Sequence, residues 1–176
     1  SKQILIVDDQ AAMRSALELL FELHGIATLS ASQPEEALAL IRSENIGVVI
    51  QDMNFAEGET AGRGGQTLFR AIRTLDPELP VLLMTAWTSL EMAVELMREG
   101  AADYFAKPWN DDKLLTTVKN LLRLRELAFE NTRLRDSALQ KRLMDEELRT
   151  ASAIQKGLLP SEPPPVAGYS LAGLNN

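Results

Sequence analysis

Cysteine is absent from this 176-residue chain, which excludes a disulfide framework and any thiolate metal site. That absence fits a reducing cytoplasm. No apolar run approaches the length of a membrane span, and the N-terminus carries no signal-peptide pattern, so no membrane partner is expected. Ser1 in place of Met points to a processed or engineered start. There is no basic tract, and the formal net charge is −7, which argues against nucleic acid bound by this chain itself. Histidine occurs once, as His24, at helical spacing with Leu17, Leu20 and Phe21, where it reads as structural.

Apolar residues make up 45 % of the chain, enough for one domain of typical size plus an extension. The stretch Ile4 to Gln10 places four branched apolar residues before Asp8 and Asp9. The apolar run suits a strand buried on both faces of a parallel sheet. Two adjacent carboxylates at its end call for a compensating charge, or else they form the acidic start of the helix beginning near Ala11. From there strand and helix signals alternate. Ala11 to Leu23 is helical and Gly25 stops it; Ile26 to Ser30 is a second strand. Ser32 reads as the N-cap of a second helix, with Pro34 in its first turn and Ala37, Leu38, Leu40 and Ile41 as its buried face. Ile46 to Gln51 is a third strand with Asp52 directly after it. Met53 to Gly65 reads as a long loop, and Thr67 to Leu75 as a helix. Val81 to Met84 is a strand ending in Thr85, Leu90 to Glu99 a helix capped by Gly100, and Asp103 to Ala106 a fifth strand before Lys107. Regular β-α alternation predicts an α/β, flavodoxin-like, doubly wound five-stranded parallel sheet of order 2-1-3-4-5.

In such sheets ligands bind at the carboxyl ends of the strands. Asp8, Asp9, Asp52, Thr85 and Lys107 all stand there, on strands that the predicted order makes neighbours. Singly, each has an ordinary explanation as a helix cap, a strand former or a solvated surface group. Together they form the set of groups that a reactive site requires. Clustered carboxylates suit a hard, oxygen-preferring cation such as Mg²⁺. With charge neutralised, one carboxylate can act as nucleophile towards a phosphoryl group, with Lys107 and the Thr85 hydroxyl on its oxygens.

Residues 2 to about 122 resemble the receiver domain of two-component response regulators. The resemblance is carried by Ile-Leu-Ile-Val-Asp-Asp, by Asp52 in Val-Val-Ile-Gln-Asp-Met-Asn, by Thr85-Ala86 and by Lys107-Pro108. It implies a CheY-like fold in which Asp52 accepts a phosphoryl group from a phosphohistidine on a sensor histidine kinase or phosphotransfer protein. It further implies that Asp8, Asp9, Asp52 and the backbone carbonyl of Asn54 hold Mg²⁺. Thr85 resembles the switch hydroxyl, Tyr104 the switch aromatic and Lys107 the phosphate-pairing lysine, and the Lys107–Pro108 peptide is expected to be cis. Phosphorylation would then remodel the face formed by the fourth helix, the fifth strand and the fifth helix. The chain departs from a minimal receiver in the Met53 to Gly65 loop, which either shields the site or is a tolerated insertion. Trp87 reads as a lid over the core or as a partner anchor.

Asn110 to Lys156 contains no Pro or Gly and reads as one long helix of about 70 Å. Its first part supplies the last receiver helix, giving domains at 1–122 (receiver) and 123–157 (helical linker). Leu124, Leu127, Asn131, Leu134 and Ala138 form one a/d seam, and Met144, Leu148, Ala151, Gln155 and Leu158 another, out of step near residues 139 to 143. A parallel homodimeric coiled coil is expected; packing on a further domain is the alternative. The final segment, 158–176, resembles the entry to SpoIIE-like serine/threonine phosphatase domains through Gln155, Leu158-Leu159-Pro160 and Tyr169-Ser-Leu-Ala. That likeness implies a truncated phosphatase-like output acting in sigma-factor signalling. The alternative, similar to stress-response regulators of the RssB type, is an adaptor that delivers a stress sigma factor for proteolysis.

Overall fold

The computed structural model describes residues 2–55, 62–86 and 90–158. The element order is β1 (Gln3–Val7), α1 (Ala11–Glu22), β2 (Thr28–Ala31), α2 (Pro34–Ser43), β3 (Ile46–Asp52), α3 (Arg63–Leu75), β4 (Val81–Thr85), α4 (Leu90–Arg98), β5 (Asp103–Ala106) and α5 (Asp111–Leu158). The sheet has five parallel strands in the order β2-β1-β3-β4-β5, as the alternation predicts.

Side chains alternate across this sheet and so build two separate cores. Leu5, Val7, Val49 and Leu83 face the layer containing α2, α3 and α4, where Ala37, Leu68, Phe69, Ile72 and Leu96 are buried. Ile4, Ile6, Val48, Ile50, Leu82 and Met84 face α1 and the first turns of α5, through Leu17, Phe21, Leu114, Leu115 and Val118. Every residue of β3 is buried, including the polar Gln51 and Asp52. The central strand therefore carries Asp52 to the carboxyl edge with apolar layers on both sides.

Local boundaries show where tertiary contacts override the sequence pattern. Helix α3 begins at Arg63, not Thr67, so Gly64 and Gly65 are helical in spite of their low propensity. Position 65 must be glycine, because a Cβ there would lie 2.5 Å from Met53 Cα just past β3. The N-cap of α2 is Gln33, not Ser32. Ser32 instead donates its backbone N–H to Glu36 Oε1 at 3.1 Å. His24 lies beyond α1 and is exposed, with Nδ1 2.9 Å from the Leu20 carbonyl oxygen, so it is not part of the core. Gly25 and Gly100 take positive φ angles of 71° and 108° just past α1 and α4, as helix stops require. Trp87, residues 56–61 of the long loop, and the phosphatase-like motif from Leu159 onward lie outside the described residues.

The chain divides into one unit ending at Leu127 and a second starting at Ala128, and α5 is the helix common to both. Within the first unit, Arg125 is buried and its Nη2 lies 2.5 Å from Asp76 Oδ2 at the C-terminal end of α3. Gly47 lets Leu122 approach the start of β3: a Cβ there would meet Leu122 Cδ2 at 2.6 Å. Asp76→Ala removes the carboxylate from a buried guanidinium and is expected to cost about 1–3 kcal/mol in urea denaturation. A loss below about 0.5 kcal/mol would place this pair with ordinary surface ion pairs. In the second unit, the described side chains from Ala128 to Ile154 are exposed, among them Leu134, Leu139, Leu143, Met144 and Leu148. No helix among the described residues is long and apolar enough to cross a membrane.

Candidate functional site

The carboxyl ends of four strands deliver the site. Asp8 and Asp9 follow β1, Asp52 ends β3, Thr85 ends β4, and Lys107 follows β5. Parallel pairing in register brings these ends to one edge: Val7 sits opposite Gln51, Asp52 opposite Met84, and Thr85 opposite Ala106. The carboxylates of Asp8, Asp9 and Asp52 each offer an oxygen within 4.8 Å of the others. Lys107 Nζ lies 3.0 Å from Asp52 Oδ1 and 3.3 Å from Asp8 Oδ2. Its backbone N–H donates to the Thr85 carbonyl at 2.9 Å, tying the loop to β4. The Lys107–Pro108 peptide is cis, as the resemblance implies.

Asp8 and Asp52 are only 3 % and 4 % exposed, so their charges are largely cut off from water. Asp8 Oδ1 accepts the Gln10 N–H at 2.8 Å, and Asp52 Oδ1 accepts the Met53 N–H at 2.9 Å. Burial pushes the Asp52 carboxyl up to about 6; Lys107 pulls it down and Asp8 pushes it up. Burial and the neighbouring Asp8 charge likewise raise Asp9. Burial alone would lower Lys107, but the carboxylates of Asp52 and Asp8 more than offset it and hold the ammonium above its ordinary value. Among the described residues, three carboxylates thus share a single ammonium, and their negative charge exceeds the positive charge that pairs with it.

That excess has a geometric counterpart. Asp9 Oδ1 is buried and has no hydrogen-bond partner among the described residues. An orphaned anionic oxygen beside two other carboxylates fits a hard divalent cation, which prefers oxygen ligands and retains waters. The donor set therefore fits Mg²⁺. Asn54 contributes its backbone N–H to Asp52, and its side-chain Oδ1 accepts the Gly62 N–H at 2.9 Å.

The Thr85 hydroxyl is fully buried and donates to the Ala86 carbonyl at 2.9 Å, so it must rotate to serve any group on Asp52. Tyr104 is half-buried and packs against the core on the α3–α4 side of the sheet. Sequence reasoning missed two residues. Arg14 donates Nη1 to the Asp8 carbonyl at 2.8 Å, holding the acidic turn from α1. Gln51, fully buried, donates Nε2 to the Gly65 carbonyl at 2.8 Å. An amide next to Asp52 in an otherwise apolar strand was its visible signal.

Such an acidic pocket at the edge of a doubly wound sheet is the kind of site that receives phosphoryl groups in signalling domains. The sequence profile of the response regulator receiver domain matches residues 4–119, and the chain belongs to that family, the aspartate-phosphorylated module of two-component systems. It is 35 % identical over 135 residues to the C4-dicarboxylate transport transcriptional regulatory protein DctD of Rhizobium meliloti, covering 77 % of this chain and 28 % of that protein. It is 40 % identical over 116 residues to the response regulator protein FleR of Pseudomonas aeruginosa, covering 66 % of this chain and 24 % of that protein. The chain thus spans less than a third of these relatives. Among solved structures, a response regulator receiver domain protein from Clostridium thermocellum superposes with a TM-score of 0.65 at 28 % identity, covering 73 % of this chain and 99 % of that one. NtrX from Brucella abortus gives a TM-score of 0.66 at 29 % identity, covering 77 % of this chain and 29 % of that one.

Proposed function

We propose that Asp52 is the phosphoacceptor, taking its phosphoryl group from a phosphohistidine on a sensor histidine kinase or phosphotransfer protein in the cytoplasm. The supporting observation is the meeting of Asp52 with Lys107 at 3.0 Å beside the under-neutralised Asp8–Asp9 pair. A carboxylate oxygen of Asp52 bonds to phosphorus while the phosphorus–nitrogen bond breaks, and the imidazole leaves with the electron pair. Asp8, Asp9, Asp52 and the Asn54 carbonyl would hold Mg²⁺, which offsets negative charge at the reacting oxygens. Lys107 keeps its ammonium on the transferred group, and the Thr85 hydroxyl turns from the Ala86 carbonyl towards it. Tyr104 fills the space that Thr85 vacates, and the α4–β5–α5 face changes with it.

The signal leaves through α5. Leu124 and Leu127 of the first seam, and Met144 and Leu148 of the second, are exposed, and a second copy of the helix would cover each seam in a parallel dimer. For the output, Gln155 and Leu158-Leu159-Pro160 favour a phosphatase-like domain in sigma-factor signalling, with the sigma-factor adaptor as its non-catalytic variant. The relatives favour a different output: DctD is named as a transcriptional regulatory protein, so nucleic acid would be met by that output and not by the receiver. Assays of the full-length protein for divalent-metal-dependent phosphoserine hydrolysis and for DNA binding separate these readings.

The phosphoacceptor itself is tested by treating the chain with a small acyl phosphate. Intact mass rises by one phosphoryl group in Mg²⁺ and not in chelator, and the added mass maps to the peptide containing Asp52. Mass gain on another peptide, or gain independent of the metal, would remove Asp52 from this role.

A further inference from the structure

The residues on either side of Asp52 are both held by Gly65. Gln51 Nε2 donates to the Gly65 carbonyl at 2.8 Å, and the Gly65 N–H donates to the Met53 carbonyl at 2.9 Å. One residue at the start of α3 therefore grips the side chain before the acceptor and the main chain after it. Its N–H is one of the first-turn donors for which a helix has no internal partner. No larger residue fits: a Cβ on Gly65 would lie 2.5 Å from Met53 Cα and 2.8 Å from Met53 O.

The grip continues to the carboxylate. Met53 is fixed at its carbonyl by Gly65, and its own N–H, 3.1 Å from the Met84 carbonyl, also donates to Asp52 Oδ1 at 2.9 Å. The bonds run without a break from Gln51 through Gly65 and Met53 to the acceptor oxygen. Just beyond, Asn54 Oδ1 accepts the Gly62 N–H at 2.9 Å, which ties the start of α3 to the chain after Met53 a second time.

Stability does not account for the amide. Gln51 is fully buried, and its Oε1 has no hydrogen-bond partner among the described residues. A buried amide whose acceptor oxygen is unmet is costly, whereas an apolar side chain of similar size in this strand is not. We propose that Gln51 and Gly65 are positioning residues for phosphoryl acceptance, a clasp that holds the Met53 peptide and through it the orientation of the Asp52 carboxylate. The clasp keeps an acceptor oxygen aligned for attack. This inference rests on Asp52 being the acceptor.

The test uses Gln51→Leu and Gln51→Met, which keep the bulk and remove the donor. Phosphorylation by a small acyl phosphate is followed against donor and Mg²⁺ concentration, with thermal melts in parallel. The expected result is an unchanged or higher Tm, a saturated rate constant lower by about tenfold or more, and half-saturation values within about twofold of the unsubstituted chain. A saturated rate equal to that of the unsubstituted chain overturns the clasp. Loss of folding in both variants would make Gln51 a stability residue and overturn it too. In the unsubstituted chain the Gly65 amide should exchange as slowly as the β3 amides; fast exchange has the same consequence. If the unsubstituted chain takes up no phosphoryl group, the acceptor reading falls and the clasp with it. If it reacts and both variants react equally, only the clasp falls.

Discussion

Asp52→Asn is expected to abolish phosphoryl uptake and at the same time to raise the thermal stability of the metal-free protein. The first effect follows from removing the nucleophilic oxygen anion. The second follows from the cost of ionising a carboxyl that is 4 % exposed and close to Asp8. The folded-state value of about 6 stands above the unfolded value of 3.8, so the native state holds the proton more tightly. Between those limits the native state binds more protons than the unfolded chain, and stability falls as pH rises through the window. At pH 7 the whole penalty is present, with a ceiling of about 3 kcal/mol. Asparagine is neutral and nearly isosteric, so it relieves that penalty and flattens the stability profile between about pH 4 and 6. The expected gain in Tm at pH 7 in chelator is on the order of 5 °C. Mg²⁺ narrows the difference, because it stabilises the native state that binds it and the unsubstituted pocket binds it better. A Tm for Asp52→Asn at or below that of the unsubstituted chain in chelator would show that Lys107 already neutralises the pocket.

Lys107→Met slows phosphorylation by a small donor about 10²–10³-fold, the loss typical of removing one preorganised charge from developing phosphoryl oxygens. Its ammonium pairs with the carboxylates of both Asp52 and Asp8, at 3.0 and 3.3 Å. Methionine retains the apolar stem, and the backbone bond from residue 107 to the Thr85 carbonyl does not depend on the side chain. The fold is therefore preserved while the charge is lost. Without the ammonium, Asp52 is pushed further up, and the metal-free protein loses stability at pH 7. Mg²⁺ binding should tighten, since the carboxylates no longer share their charge with Lys107. A lower rate with a lower Mg²⁺ half-saturation separates loss of phosphoryl stabilisation from simple damage to the metal pocket. A rate within about threefold of the unsubstituted chain would place Lys107 outside the transfer step.

Most of the architecture is legible along the chain, for a physical reason. A parallel strand buried on both faces must be apolar throughout, so Ile4-Leu5-Ile6-Val7 and Val48-Val49-Ile50 announce themselves. Polar residues at the ends of such strands then fall at one edge, which is why Asp8, Asp9, Asp52, Thr85 and Lys107 could be named before their distances were known. Boundaries decided by contact were less legible. Nothing local predicts that Gly64 and Gly65 are helical, and only the close approach to Met53 shows why position 65 must be glycine. His24 follows the helical spacing of its apolar neighbours, yet α1 ends before reaching it. Arg14 gave no signal because it contributes a guanidinium to a backbone carbonyl, a target that every residue possesses.

By itself, then, the amino-acid sequence determined the alternation of strands and helices and which polar residues end the strands, since hydrophobic periodicity and residue chemistry are local properties. Only the tertiary structure decided that three carboxylates crowd within 4.8 Å of one another, that Asp9 Oδ1 has no partner among the described residues, and that Gln51 reaches Gly65. Those are facts about distance between strands remote in sequence, where register and packing set the spacing, and spacing sets how strongly buried charges act on one another.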